Sequence, residues 1–253
     1  MRLKRKVAIV TGGGAGIGRA VAIFFARKGA GVVIAEIDPT RGESTASEIR
    51  NCGGEAAFLR TDVSNTQDVQ AMVNLAAGRY GGLDILVNNA AIQMHGCDAR
   101  AHELEEEVWD RTMSINLRSV WLCSKWAIPQ MLRRGGGSII HIASPTGLIG
   151  CAPTYTAYST SKGGVIALTR IMAVDYARDN IRVNAIVPGT TETPMIASLL
   201  ADSQVRARLE AKAPLGRLGT PEDVAPLAVF LASDESSYCT GGLYRADGGL
   251  LVA

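Results

Sequence analysis

The chain has 253 residues, 47% hydrophobic and 20% charged, with 28 glycines, few aromatics and a net charge of +2. A near-neutral balance without a long basic run argues against a nucleic-acid partner. No apolar run is long enough to span a bilayer and no signal peptide is apparent. The five cysteines (Cys52, Cys97, Cys123, Cys151, Cys239) are scattered, odd in number and form no CxxC pair. They read as free thiols rather than metal ligands, so the expectation is a cytoplasmic protein without membrane or metal.

In chain order, residues 7–11 form an apolar strand candidate, followed by a glycine-rich turn and an amphipathic helix that Gly29 stops, with Ile17, Val21 and Phe24 on one side. A second strand at 32–35 ends at Glu36, and a helix at 41–51 is closed by Gly53-Gly54. A strand at 57–59, a helix at 66–79 and a strand at 85–87 ending in Asn88-Asn89 follow. Residues 105–131 read as helix, with Pro129 near the close, then a strand at 138–143 and a long helix around Tyr158. A strand at 181–187 leads through Pro188-Gly189 into a mixed stretch to Gly219. Thr220-Pro-Glu-Asp223 has the cap, proline and acids of a helix start, and a last strand at 243–246 precedes Asp247-Gly-Gly249. Alternation at this spacing predicts an α/β fold, a parallel sheet covered on both faces, with ligands at the strand carboxyl ends. With no linker and no repeat, 1–253 reads as one domain. The helix after Lys162 carries Val165, Ile166, Leu168, Ile171, Met172 and Val174 around more than one stripe, which predicts cover from a second subunit.

The chemistry centres on Tyr158-Ser-Thr-Ser-Lys162. Residues four apart share a helix face, so the hydroxyl and the ammonium can sit side by side. A free tyrosine has a pKa of about 10, and a neighbouring cation favours its phenolate, which is what a general base needs. Taken alone, the spacing is equally that of a partly exposed Tyr and Lys at a helix start. The turn after the first strand, Thr11-Gly12-x-x-x-Gly16-x-Gly18, lets backbone N–H groups approach a pyrophosphate, although a strict G-x-G-x-x-G is absent because Ile17 holds the third place. Glu36 ends the second strand where an acid binds the adenosine ribose hydroxyls and repels a 2′-phosphate, which favours NAD over NADP. Arg19 and Arg41 lie near enough to pair with such a phosphate; Asp38 reads as a solvated turn residue.

Taken together, these residues make the chain resemble the short-chain dehydrogenase/reductase family, in its compact one-domain branch, over nearly its whole length. The motifs are Thr11-Gly-Gly-Gly-Ala-Gly-Ile-Gly18, Asp62-Val63, Asn88-Asn-Ala-Ala91, Asn116, Ser144, Tyr158-x-x-x-Lys162, Pro188-Gly189 and Thr193. The resemblance implies a Rossmann-type doubly wound sheet of about seven strands, a nicotinamide cofactor and a homotetramer. It also implies that Gly12, Gly14, Gly16, Ile17 and Gly18 admit the pyrophosphate, that Asp62 and Val63 hold the adenine, and that Asn89 and Ala90 pass along its ribose. Lys162 would hold the nicotinamide ribose, while Pro188, Gly189, Thr191 and Thr193 would grip the carboxamide. Ser144 would hold the substrate oxygen, and Asn116 would bind a water relaying protons from Lys162. Two departures stand out: Ala91 where the family more often has glycine, and a Ser144–Tyr158 spacing one residue longer than usual with Pro145 directly after the serine.

The implied activity is an NAD-dependent interconversion of a secondary alcohol and a carbonyl, with a polar pocket tilting towards a sugar, polyol or other small hydroxy compound. Candidate pocket residues are Gln93, Met94, His95, Pro145, Thr146, Cys151, Tyr155, Glu192 and Met195, under a lid at 190–218. His95 either bonds a polar substrate or is merely exposed. A 3-oxoacyl-[acyl-carrier-protein] reductase is the alternative, although Arg100, Arg133 and Arg134 are too scattered for a carrier-docking patch. A non-catalytic NAD-binding regulatory module is the second alternative.

Overall fold

The computed structural model describes residues 1–252. Seven strands, β1 (Val7–Thr11), β2 (Gly31–Glu36), β3 (Glu55–Arg60), β4 (Ile85–Asn88), β5 (Gly137–Ile142), β6 (Ile181–Pro188) and β7 (Leu243–Ala246), form one sheet in the order 3-2-1-4-5-6-7. Every neighbouring pair is parallel. β1 and β2 are buried along their whole length, which explains their unbroken apolar runs: a strand covered on both faces has no solvent side to alternate towards. The strand order reverses between β1 and β4, and the crevice beyond their carboxyl ends is where ligands bind in such sheets.

One face is covered by α1 (Gly16–Arg27), α2 (Pro39–Asn51) and α9 (Pro221–Ala232), with Val10, Ile34, Val21, Phe25 and Val229 in a common core. The other carries α3 (Thr66–Tyr80), α5 (Ser119–Arg134) and α6 (Thr156–Asp175), packed through Ile9, Val33, Leu86, Met72, Leu122 and Met172. The Thr220–Asp223 start signal is a complete capping box. Asp38, read as a solvated turn residue, caps α2 by accepting the N–H groups of Thr40 and Arg41, which lets that helix begin two residues earlier than its pattern suggests.

The helix expected over 105–131 differs in a way that matters for the site. It runs as α4 (Glu106–Met113), a π-helical turn (Ser114–Arg118) and α5, with Pro129 inside the last helix and the true end at Gly135 in a left-handed conformation. The π turn surrounds Asn116, whose amide is drawn towards the Ile92 backbone; such bulges mark places where a side-chain demand overrides the regular ladder. Within the 190–218 stretch lie a 3-10 turn (Pro194–Ile196), α7 (Ala197–Leu200) and α8 (Ser203–Ala211). Outward on α5 and α6, Trp121, Ile171 (54% exposed) and Val174 (75% exposed) face solvent. No described helix is long and apolar enough to cross a membrane. No group of three or more potential ligands gathers a metal site among the described residues.

Candidate active site

The crevice at the switch point is stitched shut behind the glycine turn. Thr11 Oγ1 donates to the Val87 carbonyl and accepts the N–H groups of Asn89 and Ala90, at 3.0–3.2 Å. Asn89 Nδ2 returns bonds to the carbonyls of Thr11 (3.0 Å) and Gly12 (3.1 Å). Gly12 and Gly16 have φ of +62° and +51°, a region where a Cβ is strained. Gly18 is required for a different reason: its Cβ would lie 2.2 Å from the Gly12 carbonyl oxygen and 2.4 Å from Asn89 Nδ2. Ile17 packs instead into the core beneath. α1 starts at Gly16 behind Ala15, which supplies no side-chain cap, so its first N–H groups remain available to an anion.

Glu36, 9% exposed at the end of β2, reaches this turn directly. Its carboxylate accepts N–H groups from Gly14 (3.0 Å), Ile37 (2.9 Å) and Asp38 (3.2 Å). A Cβ on Gly14 would lie 2.8 Å from Glu36 Cγ, so the glycine is what admits the acid. Both nearby arginines are engaged elsewhere, Arg19 with Glu48 and Arg41 with Asp38. Asp62 accepts from the Ser64 N–H and hydroxyl (2.9 and 2.7 Å), and Val63 is buried beside it. Ala91 does not have a positive φ, so the departure from glycine there carries no backbone strain.

Tyr158 and Lys162 lie in the first two turns of α6, with the ammonium 5.7 Å from the phenol ring centroid. Lys162 is only 3% exposed and donates to the Ile142 carbonyl at 2.8 Å. Ser144 follows β5 in an extended conformation, as the adjacent Pro145 dictates, and its hydroxyl meets Thr146 Oγ1 at 3.0 Å. The turn Pro145–Gly147 lies hard against α6: a Cβ on Gly147 would be 2.6 Å from the Lys162 carbonyl carbon. Electrostatics here correct a simple expectation. Burial pushes the Tyr158 hydroxyl up to about 12, opposed by the Ser144 hydroxyl, and burial pushes Lys162 down to about 8. For Tyr158, burial outweighs the hydrogen bond from Ser144.

Asn116 is buried in the π turn. Its Oδ1 accepts the Ile92 N–H and its Nδ2 donates to the Ile92 carbonyl, both at 2.8 Å, with Ser161 Oγ at 3.3 Å from Nδ2. The side chain thus ties the segment after β4 to α6. Beyond β6, Gly189 lies against the Asp247 backbone, Thr191 Oγ1 donates to the Gly189 carbonyl, and the Thr193 side chain lies over Gly16. The segment after β6 therefore reaches back to the glycine turn. Of the pocket candidates, three converge: His95 Nδ1 meets the Tyr155 hydroxyl and Nε2 meets the Met195 carbonyl, each at 3.0 Å. The carbonyl can only accept, so Nε2 carries the proton and, in the neutral ring, Nδ1 accepts from the tyrosine. Glu192 turns away to pair with Arg206, which also binds Glu210. A cavity of about 420 Å³ opens between Thr190, Leu209, Pro214 and Asp247, lined by neither Tyr158 nor Ser144.

Two buried groups escaped the sequence reading. Asp98 accepts the N–H groups of Ala157 (3.0 Å) and Tyr158 (2.9 Å); the lack of a capping side chain at the start of α6 is the one local sign that such a partner is needed. His141, on β5, meets Thr169 Oγ1 at 2.9 Å while its Nε2 has no partner. Burial and then the Lys162 charge push it down to about 3, keeping it neutral.

A parallel sheet with a glycine-rich turn and an acid at its switch point, and a Tyr–Lys pair beside a serine that follows β5, is the framework of a dinucleotide-dependent oxidoreductase. The comparisons agree. The family model described as enoyl-(acyl carrier protein) reductase matches residues 12–251. The chain is 43% identical to the cis-4-hydroxycyclohexanecarboxylate dehydrogenase of Sinomonas cyclohexanicum, with 96% of each chain covered. It is 38% identical to the 3-oxoacyl-[acyl-carrier-protein] reductase of Thermotoga maritima, with 100% of each covered. A crystal structure from Beutenbergia cavernae, assigned as an NAD(P)-dependent gluconate 5-dehydrogenase with NADP at low occupancy, superposes with a TM-score of 0.92 at 38% identity, covering 99% of this chain and 98% of that one. The chain belongs to the short-chain dehydrogenase/reductase family of oxidoreductases, whose members use NAD or NADP.

Proposed function

We propose that the protein is an NAD-dependent dehydrogenase that interconverts a secondary alcohol and a carbonyl on a sugar, polyol or other small hydroxy compound. The observation that carries the reaction type is the Tyr158–Lys162 pair, held beside Ser144 in a water-poor site. In this reading Gly12, Gly14, Gly16 and Gly18 bring the first N–H groups of α1 to the pyrophosphate, and Glu36 bonds the adenosine ribose. Asp62, Val63, Asn89 and Ala90 line the adenine side; Pro188, Gly189, Thr191 and Thr193 hold the carboxamide side. The nicotinamide, when bound, supplies the hydride acceptor or donor. Ser144 orients the substrate oxygen, Tyr158 takes or gives its proton, and Lys162 favours the charged phenol and holds the ribose. Asn116 acts by keeping the segment after β4 against α6, at the place where a proton path from Lys162 would leave the site.

NAD over NADP is supported by the buried Glu36 carboxylate at the turn and by the pairing of Arg19 with Glu48 and Arg41 with Asp38, which removes both cations that a 2′-phosphate would need. The resemblance to an acyl-carrier-protein reductase makes a 3-oxoacyl substrate the second reading. A homotetramer in the cytoplasm, as one domain with a lid at 190–218, completes the proposal; the apolar side chains exposed on α5 and α6 support assembly.

The test is an oxidation panel of sugars, polyols and secondary alcohols against NAD and NADP, alongside reduction of a 3-oxoacyl thioester. The expected result is NAD-linked oxidation of a hydroxy compound that is lost in Tyr158→Phe while NADH binding persists. Turnover of the thioester alone with NADPH moves the assignment to the second reading. NADH binding with no turnover on any substrate moves it to a non-catalytic module.

A further inference from the structure

Asp98 lies in the segment between β4 and α4, 60 residues before Tyr158, yet both of its oxygens are committed to the helix that carries the tyrosine. Oδ2 accepts the Tyr158 N–H at 2.9 Å; Oδ1 accepts the N–H groups of Ala157 and Ala99 at 3.0 Å. The residue is 7% exposed. α6 has no cap of its own, because Tyr155 at its start contributes no side-chain bond. A second tie runs beside the first: Thr156 Oγ1 donates to the Ala99 carbonyl at 2.6 Å. The first turn of α6 is therefore fixed from outside the helix, by a carboxylate facing the positive end of its dipole.

We propose that Asp98 is a positioning residue for the reaction: by holding the backbone N–H of Tyr158 it fixes where the phenol oxygen stands relative to Ser144 and Lys162. The proposal rests on the role given to Tyr158. Caps of most helices only add stability, but this one is bonded to the reacting residue itself, and a reacting group misplaced on the order of 1 Å costs up to about a hundredfold in rate. The His95 contact to Tyr155 cannot substitute, since it reaches a side chain upstream of the helix and leaves the N–H groups of Ala157 and Tyr158 without partners.

The experiment compares Asp98→Ala and Asp98→Asn with the wild-type full-length chain. It reads kcat and KM with the best substrate of the panel, Kd for NADH by fluorescence, and amide exchange at Ala157 and Tyr158. Asp98→Ala is expected to lose roughly tenfold or more in kcat with NADH Kd within about twofold of wild type. Its Ala157 and Tyr158 amides should exchange about fivefold faster or more. Asp98→Asn, which keeps one accepting oxygen, should fall between. A wild-type kcat in Asp98→Ala, or a kcat loss matched by an equal loss of NADH affinity, overturns the proposal. If Asp98→Ala fails to fold, Asp98→Asn decides by the same criteria. Exchange reads the clamp without activity, so its failure is told apart from failure of the Tyr158 assignment, which Tyr158→Phe decides separately.

Discussion

The glycine turn makes its sharpest demand at Gly18. An added Cβ would stand 2.2 Å from the Gly12 carbonyl oxygen and 2.4 Å from Asn89 Nδ2, so it must retreat by about 0.8 Å to reach even 3.0 Å from the former. Neither neighbour is free to give. The Gly12 carbonyl belongs to backbone whose N–H bonds Ala35 at 2.8 Å, and Asn89 Nδ2 holds two carbonyls. Gly18→Ala must lift α1 off the Gly12 carbonyl, an overpacking cost of about 1–3 kcal/mol, since swinging Asn89 out forfeits two hydrogen bonds at about 1 kcal/mol each and relieves only the longer contact. Gly18 does not have a positive φ, so the gain of up to about 1 kcal/mol from replacing glycine in a helix offsets part of this. The net expectation is a loss of about 1–3 kcal/mol in urea unfolding. NADH binding, by fluorescence titration, should weaken about tenfold or more, because that shift distorts the turn. A Gly18→Ala protein with the wild-type midpoint and the wild-type NADH affinity would refute the reasoning.

Gly78 is the opposite case: exposed within α3, with nothing within 4 Å of an added Cβ, so Gly78→Ala should stabilise by about 0.5–1 kcal/mol in the same assay, and any loss counts against it. His95→Ala removes the bridge between Tyr155 and the Met195 carbonyl; substrate KM should rise about fivefold to thirtyfold while NADH Kd stays put, and steady-state kinetics showing an unchanged KM would count against a substrate role for that bridge. Burial lowers Lys162 from 10.5 to about 8, so between those values the unfolded chain holds a proton the folded one lacks and stability rises with pH. Tyr158, raised from 10.0 to about 12, acts with the opposite sign only above pH 10. Wild type without added nucleotide should therefore gain about 2 kcal/mol over Lys162→Met from pH 8 to 10, and urea curves with a constant difference would contradict it.

What was legible in the sequence lay within single elements or adjacent ones. The central strands announce themselves because a doubly covered parallel strand is apolar along its run, as β1 and β2 are up to their polar last residues, Thr11 and Glu36. Tyr158 and Lys162 were readable because helical spacing fixes their shared face. Glu36 was readable because the strand that carries it is hydrogen-bonded to the strand that ends in the glycine turn. His95 and Asp98 sit in the segment between β4 and α4, which has neither period. Their bonds reach 60 to 100 residues along the chain, and no local pattern encodes a partner at that distance. The π turn at Asn116 was hidden for the same reason, since the Ile92 backbone that draws the amide is 24 residues away.

The desolvation of Tyr158 was hidden for a different reason. Charge proximity is visible in a sequence whenever two residues share a helix face, but desolvation is a property of everything packed around them. Here Pro145–Gly147 closes on α6 so tightly that only glycine fits at 147, and the Lys162 ammonium turns to the Ile142 carbonyl. The same closure that raises the phenol also lowers the amine, because a dry site penalises either charge alone. A proton-accepting phenolate therefore requires positive charge brought into the cleft without water. The buried Lys162 ammonium, 5.7 Å from the phenol ring centroid, is the group placed to supply that charge.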